Sequence, residues 1–271
     1  MRLFYDEDRS EIKLPSGVTP LEVDVSSIEK QRVIAELEGR NGKINEGFVF
    51  RDRDILIRLL LRAEDKSDFP LLRDEVYEFF HLGDRVYVSD PHQEGKLYSV
   101  TIDTKYMPEK LNTHTAIMDI ECTTTELPFA ESIGTTADLD KHGLRYSDEL
   151  WSYGMGLSYD EETHKYTHNT NTFRIYNAGN VEVHPFEMDL KIAIDGINGP
   201  YELKNETTGG TFKYTGSNSG KLLLDGPNIT LNGLQAFRDT NRWYITLAPG
   251  WNTFTQSKNK KVAFDFRYYY K

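Results

Sequence analysis

The sequence predicts a mainly β protein with one short helix, divided into two domains, and three observations lead there. In residues 54–62 one parity carries Ile55, Ile57, Leu59 and Leu61, and the other Asp54, Leu56, Arg58, Leu60 and Arg62. That period of two is the signature of a strand with one buried face. Over residues 69–80, by contrast, Phe69, Leu72, Val76, Phe79 and Phe80 recur at helical spacing opposite Arg73, Asp74, Glu75 and Glu78. Past residue 150 the chain turns rich in Gly, Asn and Thr, with short alternating apolar runs between turn signals. This is the spacing of an antiparallel β-sandwich.

Taken in order, the first unit opens with the turn Gly39-Arg40-Asn41-Gly42, whose Asn41-Gly42 pair suits positive φ. The strand at 54–62 follows; its second face is mixed, so Leu56 and Leu60 require cover and form a candidate subunit interface. Ser67 or Asp68 can cap the helix, Pro70 fits its first turn, and Gly83 offers a left-handed stop. Strands are expected at 86–90, 97–103 and 115–122, joined by loops with Pro91, Gly95, Pro108 and Asn112, and the unit ends at Leu127-Pro128-Phe129. Residues 133–151 lack strand periodicity and read as a connector with one helical turn, which sets the domains at 1–137 and 138–271. In the second domain strands centre on Ile192, Phe212, Leu223, Ile229, Ile245 and 262–270. Turns fall at Asp195-Gly196, Asn198-Gly199-Pro200, Gly209-Gly210, Asp225-Gly226 and Pro249-Gly250.

These pieces, in this order, carry a resemblance. Gly39-Arg40-Asn41-Gly42, Ile55-Leu56-Ile57, the run from Asp68 to Phe80 (DFPLLRDEVYEFF), Val86-Tyr87-Val88, Gly95-Lys96-Leu97-Tyr98 and Pro128-Phe129-Ala130-Glu131-Ser132 together resemble the distal tail protein family of long-tailed, non-contractile (siphovirus) bacteriophages. Residues 173–185 (FRIYNAGNVEVHP) resemble the strand, Asn-Ala-Gly-Asn turn and strand that open the family's second domain. The likeness spans nearly the whole chain, and its specificity lies in the order of the pieces. It gives Gly39, Gly42, Phe69, Leu72, Val76, Phe79, Pro128, Phe129, Asn177 and Gly179 structural places.

The resemblance implies a β-sandwich or barrel-like N-terminal domain that forms a ring, followed by a galectin-like sandwich. The expected assembly is a homohexamer at the tail tip of the virion, put together in the host cytoplasm. It would stack on the tail tube protein and on the tail-associated hub protein, with the sandwich docking receptor-binding proteins. No catalysis and no cofactor are implied, and DNA enters only as cargo passing through the lumen.

Composition sets limits on the alternatives. At 271 residues the chain can build two cores. Forty-three acidic against 32 basic residues give a net charge of -11, which disfavours a protein that grips phosphates. An acidic surface suits solubility, or a passage through which DNA slides. The basic cluster at 258–261 reads as a solvated loop. Residues 1–8 show no secretory pattern, and no apolar run reaches the ~20 residues a membrane helix needs. The single cysteine, Cys122, shares its strand parity with Ala116, Met118 and Ile120 and reads as a small core residue.

Several motifs imitate functional sites. Residues 216–221 (GSNSGK) are one residue short of a phosphate-binding loop, carry Leu222 where a hydroxyl is needed, and read as a hairpin loop. His164 and His168 would suit zinc on a helix, but the segment between them looks extended, which separates them by ~13 Å. Asp52-x-Asp54 and Asp138-x-Asp140 lack the glycine and distal glutamate of a calcium loop and read as solvated acids. Trp151, Trp243, Trp251 and Tyr268-Tyr269-Tyr270 could form a sugar platform, so a carbohydrate-binding module contacting the host cell wall is the rival function. The core is the stronger reading for them, and the His-Asn-x-Arg and Trp-Gly-x-Glu pattern of galectins is missing. A glycan hydrolase is disfavoured because no carboxylate pair stands out among the acids.

Overall fold

A computed structural model describes residues 1–5, 10–39, 41–81, 83–144 and 150–271, with Tyr5 described by its backbone alone. The chain divides into two units, Met1–Ala130 and Glu131–Lys271.

The first unit contains β1 (Leu3–Tyr5), β2 (Glu11–Ile12), β3 (Val18–Val25), β4 (Lys30–Ala35), β5 (Ile44–Phe50), β6 (Asp54–Arg62), α1 (Phe69–Phe80), β7 (Val86–Ser89), β8 (Lys96–Thr101), β9 (Glu109–Lys110) and β10 (Thr115–Thr124). Antiparallel pairing builds the order β2-β1-β7-β8-β10-β6-β3, with β9 added to β10. The alternation in β6 resolves as expected: Ile55, Ile57, Leu59 and Leu61 are buried, and Leu56 and Leu60 are half-buried. Their strand pairs with Ala116, Met118, Ile120 and Cys122 of β10, all buried on the same face. Helix α1 covers this face with Phe69, Leu72, Val76 and Phe80, while Phe79 is half-buried edge-on against Phe80.

Both ends of α1 differ from the expectation. Asp68 stands at the N-cap but its carboxylate accepts from the Glu64 N–H, 3.0 Å away, and so fastens the preceding loop instead. The helix closes at His81, whose N–H donates to Glu78 O, and Gly83 is not in the left-handed region. Three further strands, β1 to β3, lie in the same sheet ahead of residue 39. They are short, or, in β3, interrupted by Pro20 and a register shift before Glu22, which hides their period.

The second unit contains β11 (Ala130–Ser132, across the division), α2 (Thr136–His142), β12 (Thr167–His168), β13 (Thr172–Asn177), β14 (Leu190–Asn198), β15 (Tyr201–Asn205), β16 (Thr211–Tyr214), β17 (Ser219–Asp225), β18 (Asn228–Leu231), β19 (Leu234–Gln235), β20 (Gly250–Gln256), β21 (Lys261–Phe266) and β22 (Tyr269–Tyr270). One sheet runs β12-β21-β14-β17-β18-β19 and the other β13-β20-β15-β16. They pack as a sandwich: Phe173 and Phe254 of one sheet meet Phe264 of the other, with centroids 6.1 and 4.9 Å apart.

Residues 133–144 are not a passive connector. Thr135 and Asp138 form a capping box at the start of α2, and Thr136 Oγ1 donates to Phe264 O and accepts from the Phe266 N–H. Asp140 accepts from the Tyr166 N–H and the Thr167 hydroxyl, so Asp138 and Asp140 are structural acceptors rather than solvated acids. Residues 145–149 of the expected connector lie outside the described residues. Asp195-Gly196 is a bulge inside β14 rather than a turn. Residues around Ile245 join no ladder beyond a bridge between Val183 and Leu247.

Candidate assembly surface

Two features of the first unit leave apolar side chains facing solvent. The first is the outer face of the sheet around β6. There Arg58 grips Asp119 with two parallel bonds, 2.9 and 3.0 Å, and Glu22 stands 3.7 Å away. That bond holds the Asp119 carboxyl below its ordinary range. Leu56 and Leu60 flank this ion pair; Leu60 lies opposite Ile117 and Thr19, and Leu21 nearby in β3 is exposed. The face is thus amphipathic, with a fixed charge pair between half-covered leucines.

The second feature was not legible in the sequence. Strands β4 and β5 pair only with each other, as a two-stranded ribbon separate from the main sheet. The ribbon exposes Val33, Ile34, Leu37, Phe48 and Val49, between 39 and 55% each. Phe48 stacks edge-on against Phe50 at 5.2 Å, and Lys30 lies over both rings. Phe50 in turn meets Phe129 at 5.6 Å, which gives the Pro128-Phe129 motif its place at the root of the ribbon. At the tip Gly39 and Gly42 take φ of 81° and 89°, and Arg40 lies outside the described residues. An isolated ribbon of this kind has too little apolar contact to be stable by itself.

In the second unit the motif residues Asn177 and Gly179 lock a turn. Asn177 is buried, donates Nδ2 to Val181 O and Leu247 O, and accepts from the Gly179 N–H. Gly179 has room for no side chain, because a Cβ would lie 2.5 Å from Tyr269 O.

The imitators of functional sites dissolve in the fold. Cys122 is buried and its thiol is pushed up to about 12 by desolvation, the opposite of an activated nucleophile. His164 is buried in a short 3-10 turn, whereas His168 stacks on Phe173 at 4.8 Å and faces Lys165 O. Among the described residues, no group of three His, Cys, Asp or Glu side chains could hold a metal ion. Residues 216–221 cross from β16 in one sheet to β17 in the other, so they are an inter-sheet connection and not a hairpin loop. Trp151, Tyr268, Tyr269 and Tyr270 are core, Trp251 is half-buried under Arg174, and only Trp243 of that set is exposed. No described helix is long and apolar enough to cross a membrane.

Comparison with known proteins gives a domain match and a fold match. Residues 9–123 match the family model of the phage tail protein RIFT-related domain. The whole chain then shares its fold with a solved phage protein. The crystal structure of SPP1 Dit (gp 19.1), described as a paradigm of the hub adsorption apparatus in phages infecting Gram-positive bacteria, superposes with a TM-score of 0.66. That match spans 98% of each chain at 13% identity. The phage P2 baseplate in its activated conformation with Ca gives a TM-score of 0.44 at 10% identity, over 97% of this chain and 94% of that one. No curated protein matches the sequence. The resemblance to distal tail proteins noted from the motif order stands on these findings.

Proposed function

We propose that this chain is the structural hub of a phage tail tip, a ring-forming distal tail protein rather than an enzyme. The observation that carries the reading is the fold shared with SPP1 Dit across both units, from one end of the chain to the other. In this reading six copies associate through their N-terminal units. The ring joins the tail tube protein to the tail-associated hub protein, and the C-terminal sandwich offers a docking surface to receptor-binding proteins. The site of action is the virion tail tip, with assembly in the host cytoplasm.

Local physics supports self-association. The β4–β5 ribbon and the face of Leu56 and Leu60 present apolar surface that a lone subunit leaves in water. At roughly 25 cal/mol per Å², covering such a ribbon and face in each subunit supplies several kcal/mol per contact.

Negative-stain electron microscopy of the purified chain tests the proposal, with rings as the expected outcome. Monodisperse monomers with affinity for cell-wall glycan would replace it with the carbohydrate-binding module. Ile34→Ser together with Phe48→Ser should remove the rings and leave the melting temperature of the subunit unchanged.

A further inference from the structure

The chain contains the pairs Asn41-Gly42, Asn198-Gly199 and Asn232-Gly233, and the fold treats them differently. An asparagine followed by glycine is open to attack on its side-chain Cγ by the next main-chain nitrogen, because glycine puts no Cβ in the way of ring closure. The attack needs an asparagine side chain free to turn and a following N–H that no acceptor holds. Asn232 fails the first condition. In the turn between β18 and β19, its Oδ1 accepts from the Lys221 N–H at 2.9 Å and its Nδ2 donates to Ser219 O at 3.1 Å. Its carboxamide also lies against Gly220, so closely that a Cβ on that glycine would overlap it. Asn198 fails the second. It ends β14 opposite Ser219 of β17, its carbonyl accepts from Lys258 Nζ at 3.4 Å, and the Gly199 N–H donates to Asn218 O at 3.5 Å. Asn41 meets both. It and Gly42 are exposed in the loop between β4 and β5, beyond the last ladder pair, Ala35 with Ile44. Among the described residues neither the Asn41 carboxamide nor the Gly42 N–H has a hydrogen-bond partner. A Cβ built on Gly42 would meet nothing within 4 Å, so the loop is open around the reacting atoms.

We propose that Asn41 is a spontaneous modification site at which the folded protein deamidates, while the fold protects Asn198 and Asn232. The Gly42 nitrogen gives up its proton and bonds to Asn41 Cγ. The Cγ–Nδ2 bond breaks, and ammonia leaves with that proton, passed by way of water. Water then opens the succinimide at either carbonyl, leaving aspartate, or isoaspartate with the main chain running through the former side chain. No oxidant or reductant takes part. Either product adds a negative charge at the ribbon tip of a subunit whose net charge is already -11, and isoaspartate also lengthens its main chain by a methylene. The inference stands apart from the ring reading, since it needs only the loop itself.

Peptide mass spectrometry of the full chain, held in mildly alkaline buffer and digested at intervals, follows the exchange of amide for acid at each pair. Comparing each site with itself in urea-unfolded chain removes the influence of its sequence neighbours. Native Asn41 should convert at close to its rate in urea. Asn198 and Asn232 should convert roughly tenfold or more slowly than in urea, because each reacts only in locally opened molecules. Gly42→Ala should slow the reaction at Asn41, and Asn41→Gln should abolish the early conversion of that peptide and leave the other two sites as they were. Native Asn198 or Asn232 converting as fast as in urea overturns the proposal. So does an Asn41 slowed by folding as much as the other two, or one whose rate Gly42→Ala leaves unchanged.

Discussion

The two units differ in their buried amides and charges, although each leaves some buried atoms without a partner, His164 Nε2 and Tyr214 Oη in the sandwich. In the sandwich, the buried amides are fully satisfied. Asn252 accepts from the Ala248 N–H and Asn205 Nδ2 and donates to Ala248 O and Gly250 O. Gln256 accepts from the Tyr201 hydroxyl and the Lys260 N–H and donates to Thr170 O and Lys260 O. These side chains replace ladder bonds at places where strands β15 and β20 hand over to loops. In the first unit, Arg53 is buried without an anion, and a two-stranded ribbon holds five apolar side chains in water. A unit whose buried amides are all satisfied from within holds its strand ends and loops by itself. One that leaves an apolar surface unanswered has the features of a part made to be covered. The difference agrees with the proposed reading, in which the N-terminal unit makes the assembly contacts.

The sharpest way to break the first half of that contrast is at Gly179. A Cβ there would fall 2.5 Å from Tyr269 O and 2.8 Å from Tyr269 N, backbone atoms that cannot swing aside as a side-chain end can. Gly179→Ala therefore displaces the final strand, β22, or forfeits the Asn177 turn. A loss of roughly 4 kcal/mol is expected, lowering the melting temperature by about 10 °C or more. A sandwich that tolerates alanine at this position would show that the turn is loose and that the unit is less closed than its bonds suggest.

Fragments sharpen the same half. Residues 131–271 retain β11 and α2, with the Ser132 N–H donating to Tyr268 O, the Ser132 hydroxyl accepting from the Tyr268 N–H, and Arg267 Nη1 donating to Ser132 O. That fragment should melt cooperatively as a monomer. A fragment begun at residue 147 lacks those bonds and exposes the main-chain groups of β21 and of Tyr268 that Thr136 and Ser132 satisfy. It should lose roughly 3 kcal/mol or fail to fold, read as a lower denaturant midpoint. Equal stability of the two would return residues 133–144 to the role of a connector.

How much of this could be read from the chain depends on where the signal lies. The period of two in β6 and the helical stripe of α1 were plain because each element has one buried face and nine or more residues to show it. The ribbon was silent for the opposite reason. Lys30–Ala35 and Ile44–Phe50 pack no face against a core, so Lys30, Gln31, Arg32, Val33 and Ile34 follow no period. The seven residues of α2 are too few for periodicity, although Thr135-x-x-Asp138 was a usable cap signal. Arg53 could not have been found at all: alternation places it on the inner parity of β6 with Ile55, but a charge at a strand's end is normally read as exposed. The order of motifs carried more than any one of them, because turns at residues 39–42 and 177–180 mark places where two elements must be held close together.

On the assembly side, Leu56→Lys together with Leu60→Lys measures whether the outer sheet face is an interface. Both leucines are half-buried beside the Arg58–Asp119 pair, so two lysines leave the inner core untouched and their stems can lie along the sheet. Rings should be lost while the melting temperature falls by less than about 5 °C. A much larger fall would mean that these leucines belong to the subunit's own core, and the ribbon alone would then remain as the exposed apolar feature of the unit.

The smallest effect concerns Cys122, and it tests whether the N-terminal core is as dry as its apolar face suggests. The side chain is 2% exposed between Ile120 and the β6 residue Ile55 opposite, and desolvation raises its thiol to about 12, against an ordinary value of roughly 8.5. The folded state therefore holds this proton more tightly than the unfolded chain does. Its contribution to stability is fully present below about pH 8.5 and is lost as pH rises from there toward 12, at up to about 1.4 kcal/mol per unit. In practice the thiol should resist a disulfide reagent at pH 8 and become labelled only at the rate of unfolding. Cys122→Ala should keep the native melting temperature to within a few degrees at pH 7 and flatten its decline above pH 9. Labelling of the intact protein within seconds would show that water reaches the strand between α1 and the sheet, and the N-terminal unit would then lack the closed core on which its exposed ribbon is mounted.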